Sequence, residues 1–221
     1  MKKTLIILLL VVSLGCIGGC GKKDSDTTDD GTDAVEEVSM YGSWSGDTYS
    51  NEYTGITFTL PSGWFALTSN QITELLQSGS STISEDMNLD EDDLNAQISE
   101  TDYYDFYVSN ASGSAKFCLD IVDLTKSKAT DMTEEQYLQQ MAAVLESLTS
   151  VSVTCDDPQD STLHGEAVKA MNVSFLDASG NVVGIESIYA IKKETYMFVY
   201  MASATDNAGV EEVQSIFDQI G

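Results

Sequence analysis

The stretch from Tyr49 to Trp64, YSNEYTGITFTLPSGW, sets what this chain can fold into, because it separates an acidic, apolar-poor segment from a long run of strand and helix patterns. Ile56, Phe58 and Leu60 alternate as in a half-buried strand. Pro61, Ser62 and Gly63 supply turn chemistry, and Trp64 and Phe65 bring large apolar area to a core. Upstream, residues 21–47 are mostly Asp, Thr, Ser, Gly and Glu, with Ala34, Val35, Val38 and Met40 as the only aliphatic residues. Such a composition buries too little apolar surface to offset the entropy of ordering, so it reads as an acidic flexible tether. Residues 48–221, by contrast, are enough chain for one domain with a substantial core.

The chain opens with Lys2 and Lys3 before an uncharged apolar run from Thr4 to Ile17, the layout of a secretory signal. Ile17-Gly18-Gly19-Cys20 resembles the lipobox of bacterial lipoproteins, which implies that the Cys20 thiol carries diacylglycerol and becomes the mature N-terminus, with residues 1–20 as signal peptide. Cys16, after Ser13-Leu14-Gly15, is the competing site. Ile17, at the third position upstream, favours Cys20 over Cys16, and the polar tether starts directly after it. An uncleaved membrane span is the other reading, but a spanning helix needs about 20 predominantly apolar residues and this run breaks into glycine, cysteine and charge. A diacyl anchor holds stably where one acyl chain would not. The expected location is therefore extracytoplasmic, lipid-anchored to the bacterial cell membrane.

Charge narrows the partners. The chain carries a net −26, and residues 1–20 hold two lysines and no acid, so the remainder is at −28. All ten basic residues are lysine. Without arginine there is no bidentate recognition of phosphate or guanine, and with this charge there is no electrostatic attraction to a polyanion; nucleic acid is an unfavourable ligand. A solvated acidic surface is the plain explanation, and binding of divalent cations or basic peptides is the sharper one.

After Trp64, Thr68 and Gln71 form a capping box and Ile72, Leu75 and Leu76 a short stripe, predicting a helix over about 70–77. Residues 78–101 are polar and acidic and read as the most mobile part of the domain, with one helix over about 90–99 turning Leu89, Leu94 and Ile98 inwards. Strands follow at about 104–108 and 115–124, joined by a hairpin loop at 110–114. In the second, Phe117, Leu119 and Ile121 share one face and Cys118, Asp120 and Val122 the other, so one side reads as less deeply covered. Thr133 and Gln136 cap a helix carrying Tyr137, Met141, Val144, Leu145 and Leu148. The last third reads as a short strand at Val151 and Val153, then strands over 167–176, 182–191 and 195–202. The middle one is apolar on both faces and hence central. A terminal helix capped by Asp206 or Asn207 turns Val210, Val213, Phe217 and Ile220 to one face. This order predicts an α+β fold, helices flanking an antiparallel β-sheet.

The pattern Tyr49-x-Asn51, Gly55-Ile56-x-Phe58-x-Leu60-Pro61-x-Gly63-Trp64, followed by helix, hairpin, helix, hairpin and helix, resembles the PsbP/Mog-like domains. The resemblance covers about residues 49–221 and implies an α/β/α sandwich around the antiparallel sheet. Eukaryotic relatives serve photosystem II or bind the GTPase Ran. Neither role transfers to a bacterial surface lipoprotein, and the motif is a core and turn signature that carries no functional residue over.

Reactive constellations are sparse. His164 is the only histidine, which excludes a His-rich metal site and leaves any Ser or Cys nucleophile one imidazole base. Asp86, Asn88 and Asp90 match the first, third and fifth positions of an EF-hand loop, but Glu91 stands where glycine is needed and Gln97 where a bidentate Glu is expected, so they are weak calcium candidates. Asp156, Asp157 and Asp160 form a second acidic cluster without recognisable spacing. Cys118 and Cys155, with 36 residues between them, are either a disulfide or buried free thiols. Trp44, Tyr49, Tyr53 and Trp64 are candidates to line a ligand pocket, though such aromatics are more often core. No catalytic residue and no cofactor beyond the diacylglycerol is indicated. The leading functional reading is a non-catalytic interaction or assembly module with an unknown extracytoplasmic protein partner. The alternative is a cation- or small-ligand-binding lipoprotein, and a carboxylate-based hydrolase comes third.

Overall fold

A computed structural model of the chain describes residues 39–220. Three short strands, β1 (Ser43–Ser45), β2 (Thr48–Asn51) and β3 (Ile56–Thr59), form a small antiparallel sheet in that order. Asp47 accepts from the Leu60 amide at 2.8 Å and closes the far end of this unit. Tyr49, Ile56 and Phe58 are fully buried, matching the alternation read from the sequence. β1 pairs with β2 through Trp44 and Tyr49, so the ordered sheet begins before residue 48 and takes in part of the segment assigned to the tether.

The main sheet has the order β4-β5-β6-β11-β10-β9-β7, with β8 also paired to β9, every pair antiparallel. Its strands are β4 (Trp64–Ala66), β5 (Asp102–Asn110), β6 (Ala115–Asp123), β7 (Ser152–Cys155), β8 (Gln159–Leu163), β9 (Glu166–Leu176), β10 (Val182–Lys193) and β11 (Tyr196–Ala204). One face carries α1 (Ser69–Met87), α2 (Glu91–Thr101) and α3 (Glu134–Ser147). The other carries the small sheet and α4 (Asn207–Ile220). This is the expected α+β architecture with helices on both sides of an antiparallel sheet. Each face has its own core: Cys118, Val122, Leu138, Met141, Val173, Ile188 and Val199 on the first, Tyr49, Phe58, Phe106, Phe117, Leu119, Phe198 and Ile216 on the second.

Helix starts behave as their sequences dictate. Thr68 and Thr133 make complete capping boxes with Gln71 and Gln136, and Asp206 accepts from the Gly209 amide at 2.7 Å at the start of α4. α1, however, runs ten residues past its expected end, through GSSTIS. That composition favours turns, yet here Gly79, Ser80 and Ser84 are buried, and Ser80 Oγ hydrogen-bonds Gln77 O at 3.1 Å and Asn95 Oδ1 at 2.5 Å. Small residues let α1 and α2 approach closely, and tertiary packing overrides the propensity. Residues 78–101 are accordingly two packed helices, not a mobile loop. In α4 the fully buried residues are Ile216 and Ile220, while Val210 stays 39% exposed.

Two expectations about strands change. β6 is buried on both faces, Asp120 included, because it lies between β5 and β11 with helices over one side and the small sheet and α4 over the other. β10 is interior to the sheet as expected, but only its Gly184, Glu186, Ile188 and Ala190 face is buried; Val182 and Ile185 are exposed. β8 has no hydrophobic alternation and was not anticipated. It reaches β9 through His164 and Gly165, whose φ values of 51° and 72° suit a tight two-residue hairpin turn.

Candidate functional site

The feature of this fold that fits no packing role is a group of buried oxygens beneath the α1–α2 pair. It is positioned by β5. Tyr104 pairs with Asp120 and Phe106 with Leu119, so Asp105 is an extra residue, a β-bulge. The bulge leaves Asp102, Tyr104 and Tyr107 on the helical side and Phe106 and Val108 on the other. Asp102 pairs in register with Val122, next to Asp120 on the same face of β6, and the two carboxyls meet there.

Asp120 is 0% exposed and Asp102 9%. The oxygens of Asp120, Oδ1 of Asp102 and the hydroxyls of Tyr104 and Tyr137 are buried; Asp120 is held by the Asp102 carboxyl and the Tyr103 and Ile121 backbone, and Oδ2 of Asp102 accepts from Thr101 Oγ1. Two carboxylates cannot hydrogen-bond each other unless a proton sits between them. Burial pushes Asp120 up to about 7, and burial together with the charge of Asp120 holds Asp102 well above the usual carboxylate range. A cavity of about 120 Å³ leads from Asp102 between the helices, lined by Thr73, Leu76, Gln77, Asn95, Ile98 and Ser99. The same face holds another buried acid, Glu186, 4% exposed. Glu186 and Lys116 flank Ser203 from either side; burial raises Glu186 to about 8 against the opposing pull of Lys116, and burial lowers Lys116.

The opposite face has a polar knot and an aromatic cluster. Asp105 accepts from Gly42 N at 3.0 Å, Asn51 Nδ2 at 2.8 Å and the Tyr49 hydroxyl, tying the small sheet and the incoming chain to the bulge. Nearby, the rings of Tyr41 and Tyr103 meet edge to face at 6.2 Å. Lys126 Nζ sits 5.0 Å over Tyr103 and donates to its hydroxyl, and Tyr196 lies close enough to perturb both Tyr41 and Lys126. Tyr53 stacks on Phe198 at 5.6 Å beneath Lys193 and also neighbours Tyr196. Tyr41 is 45% exposed and the other three tyrosines are half-buried.

The residues singled out by sequence fall into place differently. Cys16 and Cys20 lie outside the described residues. Cys118 and Cys155 are free and lie four strand positions apart in the sheet, about 19 Å at the usual strand spacing, far beyond the Cα separation a disulfide spans. The disulfide expectation is thus corrected: sequence spacing was permissive, but topology is not. Titration of the denatured, unreduced protein is expected to find both thiols, with Cys155 reacting slowly and Cys118 not at all in the folded state; burial raises Cys155 to about 12 and holds the fully buried Cys118 well above the usual thiol range.

The EF-hand pattern does not form an EF-hand loop. Asp86 sits near the end of α1 and accepts from Thr149 N and Oγ1 and Ser150 N and Oγ at 2.6–3.1 Å. Asn88 is the left-handed C-cap of α1 and Asp90 the N-cap of α2. The three residues serve helix ends, and the rest of the pattern lies inside α2. Asp156 Oδ2 accepts from Asn172, and Asp160 pairs with Lys169 at 2.8 Å. His164 contacts the Ile220 carbonyl through Nδ1 and holds the end of α4. Of the aromatic pocket candidates, Tyr49 and Trp64 are core, Trp44 packs on Tyr49 and Phe58, and only Tyr53 borders the surface cluster.

Comparison with known proteins gives likeness at the level of structure. No family model matches the chain, and no curated protein matches it. Among solved structures it is similar to the solution structure of cyanobacterial PsbP (CyanoP) from Synechocystis sp. PCC 6803, at 12% identity and a TM-score of 0.46, over 86% of this chain and 94% of that one. The architecture described above rests on the strand pairing itself.

Proposed function

We propose that the protein is a lipid-anchored extracytoplasmic module that works by holding a protein partner. The observation that carries this reading is the cluster of Tyr41, Tyr53, Tyr103 and Tyr196 with Lys126 and Lys193, set where the chain enters the fold. Tyrosine gives large, stiff, amphipathic contact area at low entropic cost and is enriched at binding hot spots. On a surface otherwise dominated by carboxylates, two lysines beside four tyrosines make a distinct patch. The cavity at Asp102 is well below the roughly 300 Å³ at which small-molecule sites begin, and one carboxylate lines it, which favours a binding role over hydrolysis.

Two measurements test this. A photo-crosslinking residue at Tyr103 is expected to give a discrete adduct in intact cells that weakens on Tyr41→Ser, with no comparable adduct from Glu91 on the far side. Equal crosslinking from both positions would remove the patch from the argument. Separately, Cys20→Ser is expected to abolish incorporation of a fatty-acid label and to release the protein from membranes; a wild type that is unlabelled and freely soluble would end the anchored reading.

A further inference from the structure

We propose that the outer face of β7, β9 and β10, beside α4, is a docking shelf for a basic amphipathic helix of a partner protein. In the strand order β6-β11-β10-β9-β7, α4 lies over β6 and β11. On the same side the lower end of β9 is covered, because Val168 packs with Leu163 in the second core. The upper ends of β10, β9 and β7 differ. There the side chains turned away from the first core are Ile185, Ser187, Asn172, Ser174, Ser152 and Thr154, and all of them stay exposed or half-buried.

Apolar area is concentrated at this place. The extra residue at Val183 returns Val182 and Ile185 to one face, 57% and 38% exposed, with half-buried Leu176 paired to Val182. Val210 of α4 adds a third exposed aliphatic. It lies two turns before Phe217, whose ring meets Tyr189 of β10 at 5.3 Å, so both point from the flank of α4 that looks onto β10. Of the five large apolar side chains left exposed among the described residues, these are three, and such a concentration marks an interaction surface. Three strands about 4.8 Å apart leave roughly 10–15 Å of sheet open beside α4, the diameter of one helix. A helix seated there completes the layer that α4 begins.

Charge selects which helix. The shelf itself is uncharged, and its borders are acidic: Asp156 directly after β7, where it accepts from Asn172 at 3.3 Å, Asp177 in the β9–β10 turn, and Glu211 and Asp218 on the exposed side of α4. Lysines are elsewhere. Lys169 pairs with Glu135 of α3 on the opposite face, and Lys193 stands eight residues from Ile185 along β10, about 26 Å at strand spacing. An apolar floor inside a carboxylate rim complements a helix with one apolar face flanked by lysine or arginine. It disfavours a second copy of this chain, whose own acidic rim would meet it. The shelf lies at the other end of β10 from Tyr53 and Lys193, and its occupation is independent of the partner-binding reading above.

The test uses a dye-labelled peptide of about 18 residues, leucine and lysine arranged so that one helical face is apolar. The full chain is immobilised by a C-terminal tag and washed free of detergent micelles. Saturable binding of one peptide per chain is expected, weakened about tenfold by Ile185→Ser together with Val210→Ser and about threefold by Glu211→Gln together with Asp218→Asn. Tyr41→Ser and Phe65→Ser leave it unchanged. A scrambled peptide of the same composition, and one with glutamate for lysine, are expected to bind about tenfold more weakly. Equal binding of the scrambled peptide overturns the proposal, as does binding that survives the Ile185 and Val210 variant or is lost in Tyr41→Ser. A photoreactive residue on the apolar face of the peptide gives a second reading on the wild type alone. Adducts within residues 182–187 and 210–217 uphold the shelf, and adducts elsewhere remove it. A chain that is dimeric until Ile185→Ser makes it monomeric gives the shelf to a second copy and ends the partner-helix proposal.

Discussion

Raising the pH from 5 to 8 is expected to lower the stability of this protein, and Glu186→Gln to remove much of that slope. Glu186 titrates near 8 in the fold because it is buried, against 4.5 in an unconstrained chain. Between those values the native state holds a proton that the unfolded state has released. A group with a raised folded pKa lends stability that is full below its unfolded value and lost as the pH climbs through its folded value, so stability falls with pH across this window. At about 1.4 kcal/mol per unit, Glu186 alone accounts for on the order of 3 kcal/mol, or roughly 8 °C in melting temperature. Asp120, pushed up to about 7 by burial, acts in the same direction. Thermal melts at pH 5, 6, 7 and 8 measure the slope. A flat profile in the wild type, or an equal slope in Glu186→Gln, contradicts the burial of this acid. At alkaline pH the glutamine variant should be the more stable protein, since it gives up a charge the interior disfavours.

The second large effect is Asp105→Ala. The side chain is only partly buried, but two of its donors are not accessible to water: Tyr49 is 0% exposed and Asn51 2%. Removing the acceptor strands the Tyr49 hydroxyl and one Asn51 N–H inside the fold, and each unpaired buried donor costs about 1–3 kcal/mol. A loss of about 4 kcal/mol is expected in chemical denaturation. The damage should be local first, because these bonds fasten the small sheet to the bulge of β5. Limited proteolysis is therefore expected to cut between residues 42 and 60 in the variant under conditions where the wild type resists. Tyr49→Phe, which removes one donor and keeps the ring packed on Phe106 at 4.6 Å, should cost much less. If the two variants are equally destabilised, packing of the ring and not the carboxylate holds the unit.

Most of the architecture was legible in the sequence because it is written in short-range chemistry. The Thr68 and Thr133 caps, the hairpin loop at 110–114, and the alternation of Ile56 and Phe58 all depend on neighbours within a few residues. What was not legible depends on partners distant in sequence. α1 was cut short at a run of glycine and serine whose helical state is stabilised by α2. β8 was missed because it is a polar strand that owes its existence to β9. The carboxyl pair was missed for a subtler reason: Asp120 interrupts an otherwise apolar strand, and an isolated polar residue in such a pattern looks like a solvent-facing one until both neighbouring strands are placed. Asp102 stood at the boundary of a helix and a strand, where an acid is unremarkable. Only the register across the bulge brings the two together. The cysteines teach the same lesson in reverse, since their spacing suited a bridge and the strand order separated them.

The strand order has a consequence for how the chain must be made. β6 pairs with β11, residues 73 to 89 positions apart, and this one pairing joins the two halves of the sheet. A chain that emerges N-terminus first completes β5 and β6 long before β11 exists, and closing so long a loop is slow. In that interval the edge of β6 carries Phe117, Leu119 and Ile121 beside unpaired amides and carbonyls, a template that a neighbouring molecule's β11 fits as well as its own. Crowding of nascent chains therefore favours exchanged dimers, and the dense negative charge of the rest of the surface is what keeps such chains apart until each finds its own last strand.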